Sequence, residues 1–313
     1  DELRHGAAVV GGLRVGHATH RREATRRGGA GAALDVLFVL LPGLAQVDVQ
    51  VDEAGGDDQA AHVADLGVGG RGARGDAAVD DEQVADLDEK VRQGKRVTQP
   101  FPFLGLTGSP ALQHKAAETW IAAKFPSHSQ RQALAAYPGH ERIRIGYYSC
   151  DFHDHPIAHL IAELMELHDS ARFELVAFSS GPDQNDDVRQ RISAAFDKFV
   201  DVRDKSDGDV ALLSRQLEID IAIDLNGFTG NGRPGIFHHR AAPIQVSYLG
   251  YPGTMAAPFM DYLIADTTLI PSPARQHYSE KIVYLPHSYQ ANDSKKRIAA
   301  TSFAREALGL PVS

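Results

Sequence analysis

Two hydrophobic periods alternate along residues 142–285. Short apolar runs rich in β-branched and aromatic side chains occupy 142–149, 173–179, 219–225, 243–249, 262–265 and 281–285, each of a length that suits a buried strand. After the first run, Ile157, Leu160, Ile161, Leu164 and Leu167 recur at helical spacing. They predict a helix over 156–168, and Pro156 fits its first turn, where a missing N–H costs nothing. Val188, Ile192 and Ala195 form a second stripe, predicting a helix over 186–199, and 209–217 reads as a third. Strands alternating with helices predict an α/β fold, a Rossmann-like, doubly wound parallel sheet flanked by helices. Such sheets bind ligands beyond the carboxyl ends of their strands, so chemistry is expected in the turns after Ser149, Leu225 and Leu249.

Composition changes this picture for the first hundred residues. They contain no Ile, Ser, Asn, Tyr, Trp, Met or Cys, a single aromatic of the Phe/Tyr/Trp class (Phe38), and 16 of the 29 glycines. So few large side chains offer little apolar surface to offset the entropy of ordering the backbone. Residues 1–100 are therefore expected to be poorly structured or non-native. They are either a low-complexity extension or GC-rich DNA read out of frame, and the excess of Ala, Gly, Arg, Val and Asp favours the second. The remaining organisation is expected to be a helical lead-in over 101–140, an α/β lobe over 141–300, and the start of another lobe over 301–313.

Other features exclude whole classes. The longest apolar run, 36–45, is broken by Pro42 and far shorter than the roughly 20 residues of a membrane span. A net charge of −9 argues against a nucleic-acid-binding domain held by phosphate contacts. One cysteine, Cys150, rules out an internal disulfide framework, and it reads as a buried structural thiol rather than a nucleophile. With no secretory leader in view, a cytoplasmic protein is expected.

Each of the three turns carries an unusual cluster. The first runs Asp151-Phe152-His153-Asp154-His155-Pro156. His155 stands just ahead of a helix, where the dipole favours a neutral imidazole that can serve as a general base; equally, it can simply cap the helix. A metal reading through His153, His155 and His159 lacks the glutamate of the HExxH pattern, whose place Pro156 takes. The second cluster is NGFTGNGR, over 226–233, where glycines let backbone amides approach a ligand, Asn226 and Thr229 offer hydrogen bonds, and Arg233 offers a forked cation. It suits a hydroxylated ligand carrying a phosphate, or it is a solvated turn; no Gly-Lys-Ser/Thr follows to make it a P-loop. The third, Leu249-Gly250-Tyr251-Pro252-Gly253-Thr254, is a stiff turn able to present N–H groups, or no more than that. His238 and His239 read as the end of a short helix. The lack of glycine over 149–156 leaves no glycine-rich fingerprint after the first strand, which argues against a plain nucleotide-binding fold of unrelated chemistry.

Four stretches, RIRIGYYSCDFHDHPIAHL, IDIAIDLNGFTGNGR, APIQVSYLGYPGTMAAPFMDYLIAD and YSEKIVYLPHSYQANDSK, together resemble the catalytic region of the protein O-linked N-acetylglucosamine transferases, a family that includes the SPINDLY-type protein O-fucosyltransferases. The resemblance covers residues 99–313. It implies the N-terminal lobe of a two-lobed GT-B glycosyltransferase that inverts the anomeric carbon. It also implies a nucleotide-sugar donor, no cofactor or metal, and a Ser/Thr hydroxyl of a protein as acceptor. His155 matches the histidine proposed as general base. Arg233, with Thr229 in the same loop, matches an active-site arginine, and Leu249, Gly250 and Pro252 match the turn lining the sugar pocket. His155-Pro156 and Gly253 fit the N-acetylglucosamine branch, with UDP-GlcNAc as donor, better than the fucosyl branch. The family's tetratricopeptide repeats and second lobe have no counterpart here and are expected to be encoded nearby. The 313-residue chain is accordingly expected to show little transfer alone and to self-associate weakly through the face meant for the other lobe. A non-catalytic binding module is the alternative from another class.

Overall fold

The computed structural model describes residues 81–126, 134, 136–137, 139–296, 304–305 and 308–309. The first eighty residues, and most of the stretch expected to open another lobe, lie outside the described residues.

Helices α1 (Asp81–Arg92), α2 (Pro100–Leu104) and α3 (Pro110–Lys124) precede the sheet. There follow β1 (Ile143–Ser149), α4 (Pro156–Glu166), β2 (Phe173–Ser179), α5 (Asp187–Ala194), β3 (Lys198–Asp201), α6 (Asp207–Gln216) and β4 (Ile221–Asp224). The series ends with α7 (Pro234–His238), β5 (Ile244–Ser247), β6 (Tyr262–Ala265), a 3-10 turn (Ser272–His277) and β7 (Lys281–Tyr284). Each helix after α1 starts for a local reason. Ser109, Asp186 and Ser206 cap α3, α5 and α6 by accepting backbone N–H bonds, and Pro opens α2, α3, α4 and α7.

All seven strands are parallel, in the order β3-β2-β1-β4-β5-β6-β7. The α/β expectation holds, and the strands at 173–179 and 262–265 have the expected bounds. The order reverses direction at the β1–β4 seam, which makes this seam the topological switch point; in sheets of this kind the ligand crevice lies above the strand ends at such a point. The central strands are buried on both faces, as a parallel sheet covered by helices must be: Ile145, Tyr147 and Tyr148 of β1 and all of β4 are shielded from solvent.

Two expectations need correction. Residues 81–100 are not poorly structured: Val91 of α1 is 1% exposed and packs with Phe103, Leu112 and Ala116, with Leu87 beside it. One apolar stripe suffices once neighbouring helices supply the rest of the core, so poverty in large side chains does not forbid this helix. The helix expected over 186–199 stops at Ala194, and Lys198–Asp201 forms an edge strand on β2. Phe196 and Phe199 extend the helical stripe in sequence, but the open backbone edge of β2 offers ladder bonds that another helical turn could not match.

Candidate active site

The first turn is fixed by the end of β1. Cys150 is buried, its thiol pushed up to about 12 by burial and then by the neighbouring Asp151 carboxylate, as a structural thiol requires. His155 is the N-cap of α4 with extended backbone, φ −147° and ψ 148°, and the Ile157 N–H donates to its Nδ1 at 3.3 Å. A backbone nitrogen can only donate, so Nδ1 is an acceptor in this arrangement. The ring is 37% exposed, and Asp151 Oδ2 lies 3.7 Å from the same Nδ1. His153 lies beside it, ring centroids 5.8 Å apart. His159 is drawn instead to Asp154, with Nε2 2.8 Å from Oδ1. Among the described residues no group of three or more His, Cys, Asp or Glu is placed to hold a metal ion.

The second turn is knotted to the first. Asn226 Nδ2 donates to Asp151 Oδ2 at 2.6 Å, and Asn226 Oδ1 accepts the Cys150 N–H at 2.9 Å. Thr229 Oγ1 donates to the Asn226 carbonyl at 2.9 Å and accepts from Asn226 Nδ2 at 3.3 Å, folding the loop over its own start. Asp224, at the end of β4, receives the N–H groups of Asn226 and Gly227 on Oδ1. Gly227 adopts φ +57°, and a Cβ there would stand 2.6 Å from Tyr251 Cβ, so the residue answers both a left-handed backbone and a close approach.

The third turn is pressed against the second. Gly250 lies so close to the Leu225 carbonyl that no Cβ would fit. Leu249, 7% exposed, is held at φ +70°, a left-handed conformation that costs a bulky residue roughly 1–2 kcal/mol. Pro252 is half-buried, and the Tyr251 ring meets Phe228 edge-on at 5.0 Å. Glu280 pins the turn from behind, accepting from Thr254 Oγ1 and the Met255 N–H, both at 2.6 Å; burial pushes its carboxyl up.

The structure thus gathers His155, Thr229, Leu249, Gly250 and Pro252 in turns that touch one another over the carboxyl edge of the sheet. Arg233 belongs to the same loop, but its guanidinium is turned to the β3–α6 connection. Nε donates to Asp207 Oδ1 at 2.7 Å, Nη1 to the Val202 carbonyl at 3.0 Å and Nη2 to the Lys205 carbonyl at 2.7 Å. Asp151 stood in the first cluster without a role, and its pairing with Asn226, across 75 positions of sequence, had no signal there at all.

A doubly wound parallel sheet whose three clustered turns meet near its switch point defines a Rossmann-like α/β lobe. The family model described as "Glycosyl transferase family 41" matches residues 121–303, and the chain belongs to that family. It is 41% identical over 209 residues to the probable UDP-N-acetylglucosamine–peptide N-acetylglucosaminyltransferase SEC of Arabidopsis thaliana, covering 64% of this chain and 21% of that protein. It is 37% identical over 154 residues to the UDP-N-acetylglucosamine–peptide N-acetylglucosaminyltransferase of Caenorhabditis elegans, 49% of this chain and 13% of that one. A SPINDLY protein of Petunia hybrida, named as a probable enzyme of the same kind, is 30% identical over 151 residues, 47% of this chain and 16% of that one. The structure of a Thermobaculum terrenum O-GlcNAc transferase K341M mutant superposes with a TM-score of 0.56 at 28% identity, covering 66% of this chain and 42% of the other. The chain therefore spans about a fifth or less of the length of these curated relatives. No helix among the described residues is long and apolar enough to cross a membrane.

Proposed function

We propose that this chain carries the acceptor-side lobe of a cytoplasmic, metal-independent, inverting protein O-GlcNAc transferase with UDP-GlcNAc as donor. The observation that carries the reading is the convergence of the His155, Thr229 and Leu249–Pro252 turns at the switch point of a family 41 lobe. In the reaction proposed, a protein Ser or Thr oxygen attacks the anomeric carbon from the face opposite the diphosphate. The bond from that carbon to the diphosphate oxygen breaks, UDP leaves, and the hydroxyl proton passes to His155. A partly exposed imidazole is a suitable base for that proton. Thr229 and the turn Leu249-Gly250 with Pro252 line the sugar, and Arg233 shapes the loop that carries Thr229. The choice of N-acetylglucosamine is supported by the names of the SEC, Caenorhabditis elegans and SPINDLY relatives, all of which are called N-acetylglucosaminyltransferases.

The test is transfer of radiolabelled sugar to protein by the native gene product. We expect incorporation from UDP-GlcNAc that survives EDTA and falls roughly 10²-fold or more in His155→Ala. Incorporation from GDP-fucose alone would reassign the donor, and loss in EDTA would overturn the metal-free reading. Acceptor binding that persists with no transfer from either donor would mark a binding module.

A further inference from the structure

The cap geometry of His155 poses a difficulty for a general base. With Nδ1 accepting from the Ile157 N–H, the neutral ring must carry its proton on Nε2, the nitrogen a substrate would have to deprotonate itself against. A bare Nε2 requires the other tautomer, with the proton on Nδ1 and an acceptor to receive it. Asp151 Oδ2, 3.7 Å from Nδ1, is the one carboxylate paired with this ring among the described residues. Its position is set from the far side: Asn226 Nδ2 grips the same Oδ2 at 2.6 Å, and the Cys150 thiol donates to Oδ1 at 3.1 Å. Asn226 is itself held by the Cys150 N–H and by Thr229, so the carboxylate is aimed by a second loop as well as by its own.

We propose that Asp151, aimed by Asn226, is the positioning residue that converts His155 from a helix cap into a base. A small rotation of the ring exchanges the Ile157 N–H for the Asp151 carboxylate, moves the neutral ring's proton to Nδ1, and leaves Nε2 bare toward the crevice. When the acceptor hydroxyl proton arrives on Nε2, the resulting imidazolium donates through Nδ1 to Asp151, and no further proton moves. The same loop that carries Thr229 thereby sets the protonation of the base, which couples closure of the second turn to readiness of the first. The inference rests on His155 being the base in the proposed transfer, but its test does not need transfer.

The experiment is imidazole 15N spectroscopy of His155 in the full chain, at a pH where the ring is neutral, with the signal assigned through His155→Gln. We expect both tautomers in the unaltered chain, loss of the Nδ1–H form in Asp151→Ala, which removes the acceptor, and a partial loss in Asn226→Ala. A ring that is wholly Nε2–H in the unaltered chain overturns the proposal, whether or not the variants fold. So does a tautomer ratio that Asp151→Ala leaves unchanged. If the tautomers respond as expected while the native protein transfers no sugar, the fault lies with the functional reading and not with the Asp151–His155 pair.

Discussion

Asp151 and Asn226, from turns after adjacent strands, share a 2.6 Å hydrogen bond directly over the seam where the sheet reverses direction. Parallel pairing in register, with Tyr148 opposite Asp224, brings the two strand ends to one level, so the residues that follow them meet without any long-range guidance of their own. A histidine that spacing alone offers as a cap is thereby placed beside a carboxylate.

Close packing of the second and third turns predicts intolerance at one glycine. Gly250→Ala drives a methyl into the Leu225 carbonyl and against Asn226 Cα, so it should lower unfolding free energy by about 1–3 kcal/mol. Gly108→Ala, with nothing within 4 Å, should stay within about 0.5 kcal/mol. Urea denaturation of the two variants checks the contrast; equal losses would mean the turns are not pressed together.

Asp224 makes stability fall with rising pH. Burial pushes its carboxyl up to about 6, against which the N–H groups of Asn226 and Gly227 pull only partly, and Oδ2 is buried with no partner among the described residues. The folded protein therefore holds this proton more tightly than the unfolded chain, whose value is 3.8. The contribution is complete below that value and is lost as pH rises through about 6, on the order of 2–3 kcal/mol. Asp224→Asn should remove this slope from the thermal midpoint measured between pH 4 and 7. A variant that keeps the slope would locate the titration elsewhere.

Glu166 acts in the opposite sense. Arg191 donates to it at 2.7 and 3.0 Å and Lys295 at 2.6 Å, holding its carboxyl down to about 2 against a reference of 4.5. Its stabilisation is present above 4.5 and is lost as pH falls toward about 2. Partial exposure limits the effect to about 1 kcal/mol. Glu166→Gln should flatten the fall in melting temperature between pH 5 and 3, and should speed proteolytic cleavage near Asp293, which Arg191 also holds at 2.6 Å.

Arg233 should prove a stabilising residue before any ligand is added. Its fork bridges the Asp207 carboxylate and two carbonyls. Arg233→Ala should cost about 1–3 kcal/mol in ligand-free denaturation, and Arg233→Lys should restore little of it, because one ammonium cannot span three acceptors. An unchanged ligand-free stability would return Arg233 to a purely substrate-facing role.

The local periods were enough to announce the alternating elements: the helix after Pro156 and the strands at 173–179 and 262–265 carry their own hydrophobic pattern and caps, so each could be read where it stands. The three clustered turns were legible for the same reason, since a strand end followed by polar and glycine residues is a local signal. Strand order, the edge strand at Lys198–Asp201 and the docking of Asp81–Arg92 were decided only when neighbours competed for open backbone and apolar faces. The pairing of Asp151 with Asn226 and the turning of the Arg233 guanidinium toward Asp207 belong to that second kind. Hydrogen bonds between residues tens of positions apart depend on where the sheet puts them, and no period along the chain records that distance.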